Sequence, residues 1–246
     1  MNAVALIPAR LAATRLPNKP LALIAGKIML QHVYERAQKA RLIDAVYIAT
    51  PDPEIAEAVR AFGGQVLMTR HDHQTGTDRL AEAVQQLPDN VQVIVNVQGD
   101  EPLIDPDTID GVAQPLLADH TLAMSSLCCP LPEGREGDPN VVKVVLTQSG
   151  YALYFSRSPL PYRRNADAPA HYRPLQHIGL YGYRRDFLEA FPSLQRTPLE
   201  QIESLEQLRA LEHGYRIKMV FTKRAPESVD TPEDLERVRA ILASAS

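Results

Sequence analysis

Three cations stand close together near the start of the sequence. In Ala9-Arg10-Leu11-Ala12-Ala13-Thr14-Arg15-Leu16-Pro17-Asn18-Lys19-Pro20, Arg10, Arg15 and Lys19 occur with no acid between them. Two guanidinium forks and an ammonium in one loop complement a polyphosphate, whose charge they neutralise and whose oxygens they bind. The glycine-based alternatives are absent. No two glycines stand two residues apart, which excludes the G-x-G-x-x-G turn, and Gly26-Lys27 has no glycine five positions before Gly26, which excludes the P-loop. The G-x-S-x-G nucleophile elbow is missing too. A nucleotide held here is therefore held by side-chain charge, with the small Ala9 letting a base or ribose approach the backbone. On pattern alone the same loop also reads as a solvated basic surface. The prolines at positions 8, 17 and 20 favour a rigid, functional loop.

The acids and histidines give further candidates. Asp100 and Asp230 each fall between a predicted strand and a predicted helix. Each alone reads as a turn former or as a residue favoured before a helix N-terminus. Together they are a candidate Mg²⁺ pair, since triphosphate chemistry needs that ion held by one or two carboxylates alongside phosphate oxygens. His71 and His73 lack further ligands at zinc spacing and read as a loop contacting nucleotide. Within a helix predicted over Leu199 to His213, Glu203, Glu206 and Gln207 lie at i, i+3 and i+4 and share a face. Such a face suits a polyhydroxylated sugar, or simply water. His177 and Tyr181, on a nearby extended segment, add donors and acceptors.

These residues need a scaffold that brings them to one edge. Apolar runs alternate with helical patterns through the first half, the signature of βαβ units building a parallel sheet. Strands are predicted over Ala3 to Ile7, Ala45 to Ala49, Gln65 to Met68 and Val91 to Val97, and helices over Met29 to Ala40, Glu54 to Phe62 and Thr77 to Gln86. The loop after the first strand and the Gln98-Gly99-Asp100 turn after the fourth then lie at the carboxyl edge, where open α/β sheets place their ligands. The second half is less regular, with extended candidates at Leu122 to Cys128, Val141 to Leu146, Ala152 to Ser156, Ile178 to Tyr183 and Ile217 to Phe221, so mixed sheet is expected there. Pro159 to Pro174 reads as an exposed loop that could serve as a lid. A last helix starts at Thr231-Pro232-Glu233-Asp234, with Thr as N-cap, Pro at the first helical position and Asp at the third.

Composition bounds the partners. The 246 residues are 45% hydrophobic, enough for a core without disulfide or metal staples. A net charge of −4 argues against indiscriminate binding to nucleic acid or anionic membrane. That total hides an asymmetry: residues 1–43 carry seven cations and one acid, a net of +6, which leaves −10 on the remainder. Adjacent Cys128 and Cys129 suit packing in a reduced compartment, and neither a signal peptide nor a membrane-length apolar run is apparent, so a cytoplasmic location is expected.

Read in order, these blocks are familiar. Ile7-Pro8-Ala9-Arg10 through Thr14-Arg15-Leu16-Pro17-Asn18-Lys19-Pro20-Leu21 resembles the nucleotide loop of the 3-deoxy-manno-octulosonate (Kdo) cytidylyltransferase family, the CMP-Kdo synthetases. So do His73-Gln74-Thr75-Gly76-Thr77-Asp78-Arg79, Val95-Asn96-Val97-Gln98-Gly99-Asp100-Glu101-Pro102, Tyr154-Phe155-Ser156-Arg157, His177-Ile178-Gly179-Leu180-Tyr181-Gly182-Tyr183, Leu205-Glu206-Gln207-Leu208-Arg209 and Val229-Asp230-Thr231-Pro232-Glu233-Asp234-Leu235. The resemblance implies a Rossmann-like α/β domain of the nucleotide-diphospho-sugar transferase type, a mostly parallel sheet flanked by helices with a smaller mixed or antiparallel β-rich portion. It implies a single domain over residues 1–246, with about 1–120 and 215–246 forming the nucleotide-binding core and about 121–214 the sugar-binding and dimerisation portion, in a homodimer. By the same carry-over, Asp100 and Asp230 bind Mg²⁺; Arg10, Arg15 and Lys19 bind CTP; and Ala9, Gln74, Thr75, Gly76 and Gln98 line the nucleotide pocket. Arg157, His177, Tyr181, Glu206 and Gln207 face Kdo. The implied activity is transfer of CMP from CTP to Kdo, for lipopolysaccharide biosynthesis, with Arg10, Lys19, Asp100 and Asp230 carrying the catalysis. Two positions depart from the family pattern: Ala13, where a serine is common, and Asn18, where glycine is common. Asparagine is the non-glycine residue best able to adopt positive φ, so the turn is expected to survive.

Overall fold

A computed structural model describes residues 2–11, 16–165 and 172–244. The chain opens with β1 (Asn2–Pro8), a 3₁₀ turn (Lys19–Leu21), the small hairpin β2 (Leu23–Ile24) and β3 (Lys27–Ile28), and α1 (Met29–Ala37). There follow β4 (Ala45–Thr50), α2 (Pro53–Ala61), β5 (Gln65–Met68), α3 (Gly76–Ala83), β6 (Val91–Asn96), α4 (Pro106–Ala118) and β7 (Met124–Pro130). The remainder is β8 (Lys143–Leu146), β9 (Ala152–Ser156), β10 (Leu175–Arg184), α5 (Arg185–Ala190), α6 (Pro198–Glu203), α7 (Gln207–Glu212), β11 (Ile217–Phe221) and α8 (Pro232–Ser244).

The main path of the sheet runs β11-β7-β10-β6-β1-β4-β5, with β8 and β9 attached beside β10. β1 pairs in parallel with β4 and β6, β4 with β5, and β7 with β11. β10 alone on this path runs against its neighbours, β6 and β7. β1 shows why the sheet needs two layers of helices. Ala3, Ala5 and Ile7 point into one buried cluster, packed with α1, α2 and α4, while Val4 and Leu6 point into another, packed with α3 and α5. A strand buried on both faces must read as a continuous apolar run, as Ala3 to Ile7 does. A third cluster, Ile24, Met29, Val229, Leu235 and Val238, seats α8 and the turn before it against the β2–β3 hairpin and α1.

The expected strands of the first half and the start of α8 are present with shifts of a residue or two. Thr231 Oγ1 accepts the Asp234 N–H, and the Asp234 carboxylate accepts the N–H groups of Asp230 and Thr231. Those bonds hold the Asp234 carboxyl down to about 2. Asn18 adopts φ 55°, the left-handed conformation expected of it. Ala13, Thr14 and Arg15 lie outside the described residues.

One expectation needs correction. The helix over Leu199 to His213 is two helices, α6 and α7, separated by Ser204 at φ 50° and ψ 50°. Arg157 accommodates the break: its Nε and Nη2 donate to the carbonyls of Glu203 and Ser204, the groups a continuing helix would have bonded to its own N–H groups. Glu203 consequently does not share a face with Glu206 and Gln207. Its carboxylate accepts from Ser156 Oγ and the Arg157 N–H. Helices α4 and α5 were not anticipated. α4 carries Pro115 and Gly111 in its interior, which mask the helical pattern.

β10 and α4 are in close contact. A Cβ at Gly182 would fall 2.5 Å from Ser125 Oγ and 2.8 Å from both Leu116 Cδ1 and Val112 Cγ1. Gly182→Ala is therefore expected to cost about 1–3 kcal/mol of stability through overpacking, read as a lower urea midpoint. An unchanged midpoint would show that the helix has room to move away from the strand.

Candidate active site

The site is built where strand ends meet. β1 ends at Pro8, and the next residues are steered across the sheet edge: the Ala9 N–H donates to Ala49 O, and the Leu11 N–H to the Asp52 carboxylate. The loop after β5 leads to Thr75, N-cap of α3, whose Oγ1 accepts the Asp78 N–H while Asp78 accepts the Thr75 N–H. Between these loops lies a cavity of about 160 Å³ lined by Pro8, Ala9, Arg10, Gln74, Thr75, Gly76 and Arg79. Five of the residues expected around a nucleotide thus come together: Ala9, Arg10, Gln74, Thr75 and Gly76. Gln98 does not line the cavity, and its Nε2 donates to Gly179 O at 3.1 Å. Arg15 lies outside the described residues. His71 is exposed, and His73 pairs through Nε2 with Glu82.

Arg79 was not anticipated as a site residue. Its Nη1 donates to Thr69 Oγ1 at 2.6 Å and to Arg70 O at 3.1 Å. Burial and the charge of Arg10 both press its pKa down. Two guanidinium groups facing one cavity make it a site for an anion. The available signal was an arginine inside an otherwise apolar helix face, which must have a partner or a ligand.

Beyond the cavity, the Lys19 Nζ sits 2.7 Å from Asp100 Oδ2, 3.2 Å from Asp230 Oδ1 and 2.9 Å from the Val229 carbonyl. The Val229 N–H in turn donates to Asp100 O, which locks the turn before α8 onto the turn after β6. Sequence positions 19, 100 and 230 are thereby brought to one point. Glu101, also not anticipated, is buried, and its Oε2 has no hydrogen-bond partner among the described residues. Burial and the neighbouring Asp100 push its carboxyl up to about 8. Burial thus favours the neutral form of Glu101 and leaves Asp100 and Asp230 as the carboxylates that contact Lys19.

A third group is internal and polar. β10 carries a bulge between Ile178 and Tyr181, which re-aims the side chains on either side of it. The bulge carbonyls are satisfied locally: Ser126 Oγ lies 3.1 Å from Ile178 O and 3.0 Å from Leu180 O. With its proton directed at these carbonyls, Ser126 Oγ accepts from His177 Nε2 at 2.9 Å. His177 Nδ1 is then the acceptor facing Gln207 Nε2 at 3.5 Å, and Gln207 Oε1 accepts from the Tyr181 hydroxyl at 3.2 Å. Burial pushes the His177 pKa down to about 3 and the Tyr181 pKa up, so both are neutral and the chain of donors has one direction. Glu206 adjoins this group and receives the Thr77 hydroxyl. Arg157 stands apart from it in function: its Nε, Nη1 and Nη2 donate to the carbonyls of Glu203, Pro139 and Ser204.

The arrangement offers an anion cavity, a carboxylate pair converging on a cation, and a mostly neutral polar wall suited to hydroxyl groups, all around the carboxyl ends of β1 and β6. Comparison with known proteins identifies the family. The family described as Cytidylyltransferase matches residues 4–219. A 3-deoxy-manno-octulosonate cytidylyltransferase of Syntrophotalea carbinolica is 54% identical over 98% of this chain and 99% of its own, and one of Geobacter sulfurreducens is 52% identical over 97% and 98%. Among solved structures, a CMP:2-keto-3-deoxy-manno-octonic acid synthetase complexed with CTP superposes with a TM-score of 0.95 at 44% identity over the whole of both chains. A cytidylyltransferase from Leptospira borgpetersenii shares the fold, with a TM-score of 0.66 at 18% identity. The chain belongs to the cytidylyltransferase family, among the 3-deoxy-manno-octulosonate cytidylyltransferases.

Proposed function

We propose that this protein joins CTP and Kdo, giving CMP-Kdo and pyrophosphate. The observation that carries the reading is the meeting of Lys19, Asp100 and Asp230 beside a cavity faced by Arg10 and Arg79. In the reaction, the 2-hydroxyl oxygen of Kdo bonds to the α-phosphorus of CTP as the bond from that phosphorus to the bridging oxygen breaks. Pyrophosphate leaves with the bridging oxygen, and the hydroxyl proton passes to solvent. No protein nucleophile takes part, so catalysis rests on positioning and charge neutralisation.

Arg10, with Arg15 and Lys19, would hold the triphosphate and stabilise the departing pyrophosphate. Ala9, Gln74, Thr75 and Gly76 would enclose the nucleoside, with Gln98 steadying the β10 bulge beside it. His177, Tyr181, Glu206 and Gln207 would orient the sugar hydroxyls. Arg157 would reach the sugar only through the donors that its three carbonyl bonds leave open.

Asp100 and Asp230 fit Mg²⁺. Their carboxylates already converge on one cationic atom, the Lys19 Nζ, and offer the hard oxygen donors that the ion takes, leaving the remaining positions to phosphate and water. When bound there, Mg²⁺ would supply charge neutralisation on the triphosphate and polarisation at the α-phosphorus. We further infer a homodimer in the cytoplasm. The buried free thiols of Cys128 and Cys129 suit a reducing compartment, and no helix among the described residues is long and apolar enough to cross a membrane.

Two measurements test this reading. In a coupled pyrophosphate-release assay with CTP, Mg²⁺ and Kdo, Asp100→Asn and Asp230→Asn are each expected to lower kcat by about 100-fold or more, and to weaken Mn²⁺ binding followed by electron paramagnetic resonance. Normal turnover by both variants would sink the metal role.

The second is a pH dependence. His177 is held far below its unfolded pKa of about 6.5, so the unfolded chain takes up a proton there that the folded one refuses, and stability falls as pH drops through that value toward 3. Between pH 7.5 and pH 5 the unmodified protein is expected to lose about 2 kcal/mol more than His177→Gln does, by urea unfolding. Parallel losses in the two proteins would mean that His177 is protonated when folded.

A further inference from the structure

Thr77 lies in the first turn of α3, two residues after the N-cap Thr75 and next to Gly76, both of which line the anion cavity. Its side chain is buried, with only 4% of the residue exposed. A threonine in a first turn ordinarily turns its hydroxyl to solvent or to its own helix. This one donates to Glu206 Oε2, 129 residues further along the chain and at the start of α7. The other oxygen of that carboxylate, Oε1, is buried and has no protein partner among the described residues.

A carboxylate with one oxygen fixed by a hydroxyl and the other lacking a partner is half of a recognition element. Oε1 is an acceptor in need of a donor, and a sugar hydroxyl is one. Several groups among the described residues face Glu206. From α3 come Thr75, Thr77 and Asp78, from β10 come Tyr181 and Tyr183, and from α7 comes Arg209. Arg209 is itself engaged by Glu200, through Nε at 2.8 Å and Nη2 at 2.6 Å. Burial raises the Glu206 pKa, while the Thr77 and Thr75 hydroxyls lower it. The hydroxyl at position 77 therefore fixes where Oε2 points and, together with that of Thr75, favours the ionised carboxylate against its burial.

We propose that Thr77 is a positioning residue for the second substrate: its hydroxyl fixes Glu206 Oε2 so that Oε1 meets a hydroxyl of Kdo, and its place in the first turn of α3 ties that carboxylate to the wall of the nucleotide cavity. The inference rests on the reading of Glu206 as a sugar-facing residue.

The test is steady-state kinetics with each substrate varied in turn, from pH 5.5 to 8.5, on Thr77→Val, Thr77→Ser and Glu206→Gln. Thr77→Val is expected to raise the KM for Kdo by about 10-fold or more, the worth of a hydrogen bond to a charged group, and to leave the KM for CTP within about twofold. The acid limb of kcat/KM for Kdo moves to higher pH, because the ionised carboxylate has lost a donor. Thr77→Ser, which keeps the hydroxyl, restores both. Where Thr77→Val does not fold, Thr77→Ala removes the same hydroxyl with less disturbance of volume. A variant without the hydroxyl that keeps the Kdo KM and the acid limb of the unmodified protein overturns the proposal. So does one that raises both KM values together with the limb unmoved, since that is plain structural damage. If Glu206→Gln leaves the Kdo KM unchanged, the sugar-facing reading of Glu206 falls first and the inference falls with it. If Glu206→Gln raises that KM and Thr77→Val does not, the reading stands and the positioning role alone is lost.

Discussion

The ammonium of Lys19 is the point on which the site depends. Asp100 and Asp230 come from turns 130 positions apart in the sequence, and carboxylates brought together repel. Lys19 resolves that repulsion by lying within hydrogen-bond distance of both and of the Val229 carbonyl. The bond from Val229 N–H to Asp100 O closes the same junction through the backbone. Burial of Glu101 works in the same direction, since it favours the neutral form beside Asp100. The apolar cluster of Ile24, Met29, Val229, Leu235 and Val238 then holds the C-terminal helix in the position that this charge arrangement needs.

The second requirement is a polar wall that offers hydroxyl partners, mostly neutral groups with the Glu206 carboxylate beside them. It arises from the reversal of β10 between two strands that run the other way. Register sets Tyr181 opposite Asn96, at the carboxyl end of β6, and so delivers a strand interior to the edge where ligands gather. Ser126, His177, Gln207 and Tyr181 then form one directed chain of hydrogen bonds, in which burial keeps His177 and Tyr181 neutral. A wall free of cations beside a cationic cavity separates the two kinds of recognition, phosphate by positive charge and hydroxyl by directed hydrogen bonds.

Much of this was legible in the sequence because it rests on local chemistry. The doubly buried strands announce themselves as apolar runs, and the α8 cap is written in Thr231, Pro232 and Asp234. The left-handed turn at Asn18 follows from what asparagine tolerates. The loop cations and the two aspartates were visible as charge placed at strand ends. What could not be read was set by partners far away in the chain. The break between α6 and α7 falls at the left-handed Ser204 and is accommodated by Arg157 taking two carbonyls, which no helical periodicity records. The preference of Glu101 for its neutral form comes from burial by the fold, and the helix around Pro115 is carried by packing that overrides a local breaker. Ser126, Thr77 and Arg79 belong to the same group, ordinary residues whose roles are given by what they touch.

The placement of β10 also bears on how the chain can be divided. β6 has β1 on one side and β10 on the other, although about eighty positions separate β6 from β10 in sequence. A fragment ending near residue 120 would keep the nucleotide loops and lose this neighbour. Val91 to Asn96 would then present a bare row of N–H and C=O groups on an apolar strand, the kind of edge that recruits other chains. The polar wall thus doubles as a cover: the part of the chain that would meet the sugar also closes the strand edge that the nucleotide-binding half leaves open.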